Sequence, residues 1–208
     1  MKRLILFPIV LLLILCFTLK NGLTDEERTN AVAHLTESRE HMMQVLDGLT
    51  EEQLNFKATA ESWSIAECVE HITIAEHAFE NFVKKTVAEG NIPHLKDSVQ
   101  WKDNDLFAQI TNRSQKVKTA EPFEPSGKFG SHEATVKAFN KKRDEHINYV
   151  KTTNDDLRNR FNTDLPFGVV DGYQLLLFAA GHCERHVLQM EEIMAHNDFP
   201  SEDMGGKE

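Results

Sequence analysis

The chain has 208 residues, 40% of them hydrophobic and 27% charged, enough for one compact domain with a buried core. Acidic residues outnumber basic ones, 33 to 23, for a formal charge of −10 at pH 7. Such a surface repels phosphate backbones, and no basic stripe or aromatic–basic interleaving offsets it, which argues against nucleic acid as a partner.

Residues 1–20, MKRLILFPIVLLLILCFTLK, open with two basic residues and continue as an uncharged apolar stretch from Leu4 to Leu19. That is the layout of a secretory signal. The stretch is short against the ~20 residues of a spanning helix. No A-x-A-like cleavage site follows it, so both a cleaved signal peptide and an N-terminal membrane anchor stand as readings. Leu15 is too bulky before Cys16 for a good lipoprotein signal. Either way the protein is expected to be exported, to the periplasm or beyond, and to meet a membrane only through this segment. Losing Lys2, Arg3 and Lys20 without an acid makes the remainder more acidic still. Residues 24–198 then form the folded unit and 199–208 a loose tail. Cys68 and Cys183 are too few for a disulfide framework and read first as small buried residues, with a bridge or a thiolate ligand as lesser alternatives.

Four long helical patterns stand out, and no run of alternating strand residues does. The first spans about Thr24 to Asp47, with Thr24 and Glu27 as a capping box, Ala31, Leu35 and Met42 on one stripe, and Gly48 at its end. A helical turn at Thr50–Leu54 leads to the second, which starts at Ser64 with Glu67 three residues on and reaches about Ala88. Trp63 precedes that cap as a hydrophobic staple against Cys68. Cys68, His71, Ile72, Ala75, Ala78, Phe79 and Phe82 fall on its apolar side, and Glu70, Thr73, His77, Glu80 and Lys84 on the opposite one.

Residues 90–130 hold Pro93, Pro122 and Pro125 and one short helix near Asp103–Thr111. A connection this long crosses over a bundle instead of making a hairpin. The third long helix, about His132 to Thr152, is capped by Ser131. The fourth starts at Asp171, with Gln174 three on, and runs to about His196. The predicted architecture is all-α: a four-helix bundle with a long crossover between the second and third long helices.

The fourth helix poses the chemical question. In GHCERHVLQ, His182 and His186 share one face with Leu175, Phe178, Ala179, Gln189 and Ile193, while Glu184 and Glu191 point elsewhere. An i, i+4 histidine pair is a two-ligand arrangement for a transition metal, but it also fits two hydrogen-bonded core residues. His71, on the apolar face of the second helix, adds a third inward imidazole. Three such rings in a dry interior are costly without hydrogen bonds or a cation for their lone pairs. Three histidines would also leave one coordination position open, as catalysis needs.

Gln189, three residues past His186, reads either as packing or as orienting a ligand ring. His146, on a stripe with Phe139, Arg143 and Val150, is with Arg143 a candidate to support a ligand or to contact substrate, and no inward carboxylate base is evident nearby. His34 and His41 sit at the edge of the first helix's stripe. His77 reads as solvated, and His94, His132 and His196 suggest no role. Serine-hydrolase and phosphate-loop motifs are absent.

Three stretches together resemble the DinB-like superfamily of four-helix metalloproteins. LNFKATAESWSIAECVEHI resembles its tryptophan–serine entry to a helix bearing the first histidine, here His71. FEPSGKFGSHEATVKAFNKKRDEHI resembles the segment carrying its arginine, here Arg143. LPFGVVDGYQLLLFAAGHCERHVLQMEEI resembles its last helix, with the paired histidines, here His182 and His186, and the glutamine, here Gln189. The resemblance implies an up-and-down-like bundle, often dimeric, with a divalent metal, zinc or nickel, on the three histidines. It also implies S-transferase or isomerase chemistry in which the metal activates a small thiol. An export signal departs from that pattern and leaves metal-dependent hydrolysis of a small molecule open, beside a non-catalytic metal- or ligand-binding bundle.

Overall fold

A computed structural model describes residues 22–165 and 168–201; the expected export segment and most of the tail lie outside them. The helices are α1 (Asp25–Leu46), α2 (Glu51–Asn55), α3 (Ile65–Ala88), α4 (Asp103–Thr111), α5 (His132–Thr152) and α6 (Gly172–Met194). Each long helix starts where a short side chain accepts a backbone N–H. Thr24 Oγ1 accepts from Glu27, Ser64 Oγ from Glu67, Ser131 Oγ from Ala134 and Asp171 Oδ1 from Gln174, at 2.8 to 3.2 Å. Two short strands, Phe161–Asn162 and Val170–Asp171, pair antiparallel just before α6, so the chain is mostly helical rather than all-α. Strands of two residues are too short to carry an alternating pattern.

α1 packs on α5 and α6, and α3 packs on the same two, so α1 and α3 stand diagonally opposite. Side-chain contacts give the directions. Arg28, in the first turns of α1, binds the Val150 and Thr153 carbonyls at the far end of α5, while Arg39 reaches Asp144. Those helices are antiparallel. Asn30 binds the Tyr173 hydroxyl and His41 binds Glu184 and Glu191, so α1 and α6 run together. His71 meets His186 and Phe79 meets Phe178, so α3 opposes α6. The order is therefore up, down, down, up, and not the up-and-down-like order that the resemblance implies. Because α3 and α5 point the same way, the chain between them must return along the whole bundle, which is why residues 89–131 form a crossover.

α4, inside the crossover, lies on α6. Gly181 permits the approach: a Cβ there would stand 3.2 Å from Ile110 Cγ2. Arg185 then donates to the carbonyls of Ile110, Asn112 and Gln115, capping the end of α4. Farther on, the crossover covers Glu70 and His77, on the side of α3 that its polar residues assign to solvent. Glu70 and Thr73 are buried, and Glu70 accepts from the backbone of Gly127 at 3.0 Å and Lys128 at 2.7 Å. Gly127 makes that turn at φ +75°, where a side chain would strain the backbone. Among the described residues no helix is long and apolar enough to cross a membrane.

Candidate metal centre

The antiparallel pairing of α3 and α6 sets His71 against His182 and His186. One ligand-capable atom from each ring lies within 4.8 Å of the other two. His71 Nε2 and His182 Nε2 are 3.2 Å apart, and the three ring centroids are separated by 4.5 to 4.9 Å. Trp63 leans on His71 at 4.8 Å and on His186 at 6.0 Å, while Phe79 and Phe178 flank His182. Trp63 thus does more than staple the start of α3.

The outward ring nitrogens fix the tautomers. His71 Nδ1 lies 2.7 Å from the Phe123 carbonyl, which can only accept, so Nδ1 carries the proton and Nε2 presents a lone pair. His186 Nδ1 lies 2.9 Å from Gln189 Oε1, which leaves its Nε2 free in the same way. Burial lowers the proton affinity of all three rings. It depresses His71, and takes His182 well below its ordinary value with help from the neighbouring His186 and His71. For His186, burial and then His71 push the value down to about 3. At neutral pH the cluster is therefore three uncharged imidazoles.

His71 Nε2 presents a lone pair, so at 3.2 Å either His182 Nε2–H donates to it or a cation lies between the two nitrogens. Two imidazoles on one tetrahedral ion at the usual zinc–nitrogen length are separated by about 3.3 Å. The donor set fits a divalent ion that favours imidazole, such as zinc or nickel, and three ligands leave a position open. The group contains no carboxylate and no thiolate.

Residues 34–190 match the model of the DinB superfamily. The chain belongs to that superfamily. It is 25% identical over 157 residues to the uncharacterized protein YuaE of Bacillus subtilis, covering 76% of this chain and 93% of that one. The fold is similar to that of YfiT from Bacillus subtilis, described as a probable metal-dependent hydrolase with an unusual four-helix bundle topology. The TM-score is 0.56 at 12% identity, over 83% of this chain and 89% of YfiT.

In this DinB-superfamily chain the other candidates divide. Gln189 stands at the cluster, bonded to His186. Arg143 and His146 instead converge on Glu76, a carboxylate from α3 that is 1% exposed. Arg143 Nη2 donates to Glu76 Oε1 at 2.5 Å, and His146 Nδ1 meets Oε2 at 2.8 Å. Arg143 also binds the Leu35 carbonyl and Ser38 Oγ, so it ties α5 to α1 and α3. Sequence reasoning missed Glu76. The available signal was Arg143 and His146 one turn apart on an inward stripe, which calls for an anion opposite. Arg113, which also reaches Gln189, and Phe123, which acts through its backbone, were missed too.

Three further histidines lie away from the cluster. His34 stacks on Phe107 at 4.2 Å, His77 is half-buried over Phe129, and His41 pairs with Glu184 and Glu191. Cys68 and Cys183 are buried and unbridged, and burial pushes both thiols up to about 12, so neither offers a thiolate at neutral pH.

Proposed function

We propose that the protein is a divalent-metal-dependent enzyme of hydrolase type, exported, and acting on a small molecule. The observation that carries this reading is the trio of neutral imidazoles, two buried and His182 half-buried, with two Nε2 atoms 3.2 Å apart. The description of YfiT as a probable metal-dependent hydrolase supports the same reaction class. When bound, a zinc or nickel ion would supply Lewis acidity, lowering the pKa of water or of a thiol toward neutrality.

The chain's own residues hold and shield that position. His71, His182 and His186 are uncharged donors, so they leave a bound cation's charge undiminished toward the open side. The Phe123 carbonyl and Gln189 orient two of the rings, and Trp63, Phe79 and Phe178 wall them with apolar surface. Glu76 is not available as a general base, since both its oxygens are engaged by Arg143 and His146.

Metal analysis of the purified protein tests the reading first. About one divalent ion per chain is expected, lost in His71→Ala and in the His182→Ala/His186→Ala double variant. A wild type that takes up neither zinc nor nickel overturns it. The loaded protein would then be assayed on esters, amides and epoxides, with and without a small thiol. Turnover without thiol supports the hydrolase, turnover only with thiol replaces it by an S-transferase, and bound metal without turnover leaves a metal-binding bundle.

A further inference from the structure

We propose that Arg113, where the chain leaves α4, is a positioning residue that prepares His186 as a ligand. The proposal deepens the metal-site reading and rests on it for one of its two readouts. Arg113 Nη1 donates to Gln189 Oε1 at 3.3 Å, and that oxygen lies 2.9 Å from His186 Nδ1. Arg113 is itself held by a fork on Glu192, Nε to Oε1 at 3.1 Å and Nη2 to Oε2 at 2.6 Å. Gln189 and Glu192 are one helical turn apart on α6, so one guanidinium spans both.

The chemistry lies in the two ends of an amide. With its oxygen toward His186, Gln189 accepts from Nδ1–H and leaves the Nε2 lone pair inward. Flipped, its NH2 would face Nδ1 and favour the opposite tautomer, with a proton on the nitrogen that a ligand must keep free. A guanidinium has donors only, so it admits the oxygen and rejects the NH2. Arg113 thereby selects the ligand-ready form of a ring it does not touch. Farther along the same crossover, the Phe123 carbonyl does the corresponding work for His71. The crossover thus controls the outward nitrogens of two of the three imidazoles.

Charge alone predicts the reverse. A cation near a cation site weakens metal binding, so removing it should tighten the site. The test measures zinc affinity by competition with a chromophoric chelator, using the full chain. Arg113→Met keeps the apolar stem and removes the donors, and zinc affinity is expected to fall about 10- to 100-fold. Gln189→Glu presents an oxygen whichever way it turns, so in that background Arg113→Met is expected to change affinity by less than about threefold. Arg113→Met binding zinc as tightly as wild type or tighter, or losing equally in both backgrounds, overturns the proposal.

The second readout needs no metal. Long-range proton–nitrogen spectra of the metal-free protein should show His186 protonated on Nδ1 in wild type and as a tautomer mixture in Arg113→Met. An unchanged tautomer overturns the proposal. A wild type that takes up no zinc would sink the metal-site reading, while the tautomer comparison would still decide the role of Arg113.

Discussion

Two polar clusters share the interior of this bundle, both built on α3, and they are opposite in kind. Around Glu76 both carboxylate oxygens are answered, by Arg143 and by His146, and Arg143 also finds the Leu35 carbonyl and Ser38, while Arg143 Nε and His146 Nε2 find no partner among the described residues. Around His71, among the described residues, the inward nitrogens meet only other imidazoles. A buried ion pair is held by counter-charge that the fold supplies, whereas three converging neutral nitrogen donors with no anion among them suit a cation that the fold does not contain. The Glu76 cluster is read as a tie between α1, α3 and α5, and the histidine cluster as a site.

The comparison breaks most visibly at Glu76. Glu76→Ala leaves the Arg143 guanidinium, 0% exposed, without its counter-charge. Losing one partner of a buried pair costs about 3–5 kcal/mol, so urea unfolding should show a stability loss of that order. A loss below about 1 kcal/mol would mean that Arg143 finds water or another anion, and the cluster would not be the tie described here.

The histidine cluster should respond to its ligand instead. With free zinc at a hundred times its Kd, the folded state gains about 2.7 kcal/mol, which a chelator should remove. In His71→Ala the thermal unfolding midpoint should be the same with zinc and with chelator. A zinc-dependent rise that survives this substitution would place the ion elsewhere.

What could be read from the sequence follows the same division. Helix starts were legible because Thr24, Ser64, Ser131 and Asp171 act on backbone within three residues. His182 and His186 were legible because helical period alone puts them on one face. Glu76 was not, because its partners come from α5, and local periodicity does not reveal which helix lies opposite. Glu70 misled for a related reason: the crossover folds over it, and a polar face reads as solvated until its cover is known. The order of helix directions depends on which ends meet, and only contacts between distant segments such as Arg28 and Val150 fix it.

Acid should separate the metal-free clusters further. His186 is depressed to about 3 from an unfolded value near 6.5, first by burial and then by His71. The unfolded chain therefore binds the proton first, and stability falls as pH drops from about 6.5 toward 3, by up to about 1.4 kcal/mol per unit for this ring. Unfolding midpoints measured with chelator from pH 7 to 5 should show the decline, and His186→Ala should flatten it. An equally steep decline in the variant would assign acid sensitivity to other groups.

The smallest effect expected lies on the other side of the same pH. At His41 burial lowers the proton affinity, but Glu184 and Glu191 outweigh it and the value is raised. A raised value reverses the sign: the contribution is complete below about 6.5 and disappears as pH rises through the folded value. His41 is partly exposed and solvent screens the pair, which limits the gain to about 0.5 kcal/mol or less. His41→Asn should therefore leave the acid limb of the stability curve unchanged and slightly flatten the alkaline one. The two histidine groups would then act on opposite limbs of the stability curve, His41 on the alkaline side and the cluster on the acid side. If His41→Asn altered the acid limb instead, Glu184 would have to be coupled to the interior rings through α6, and the separation between rim and cluster would fail.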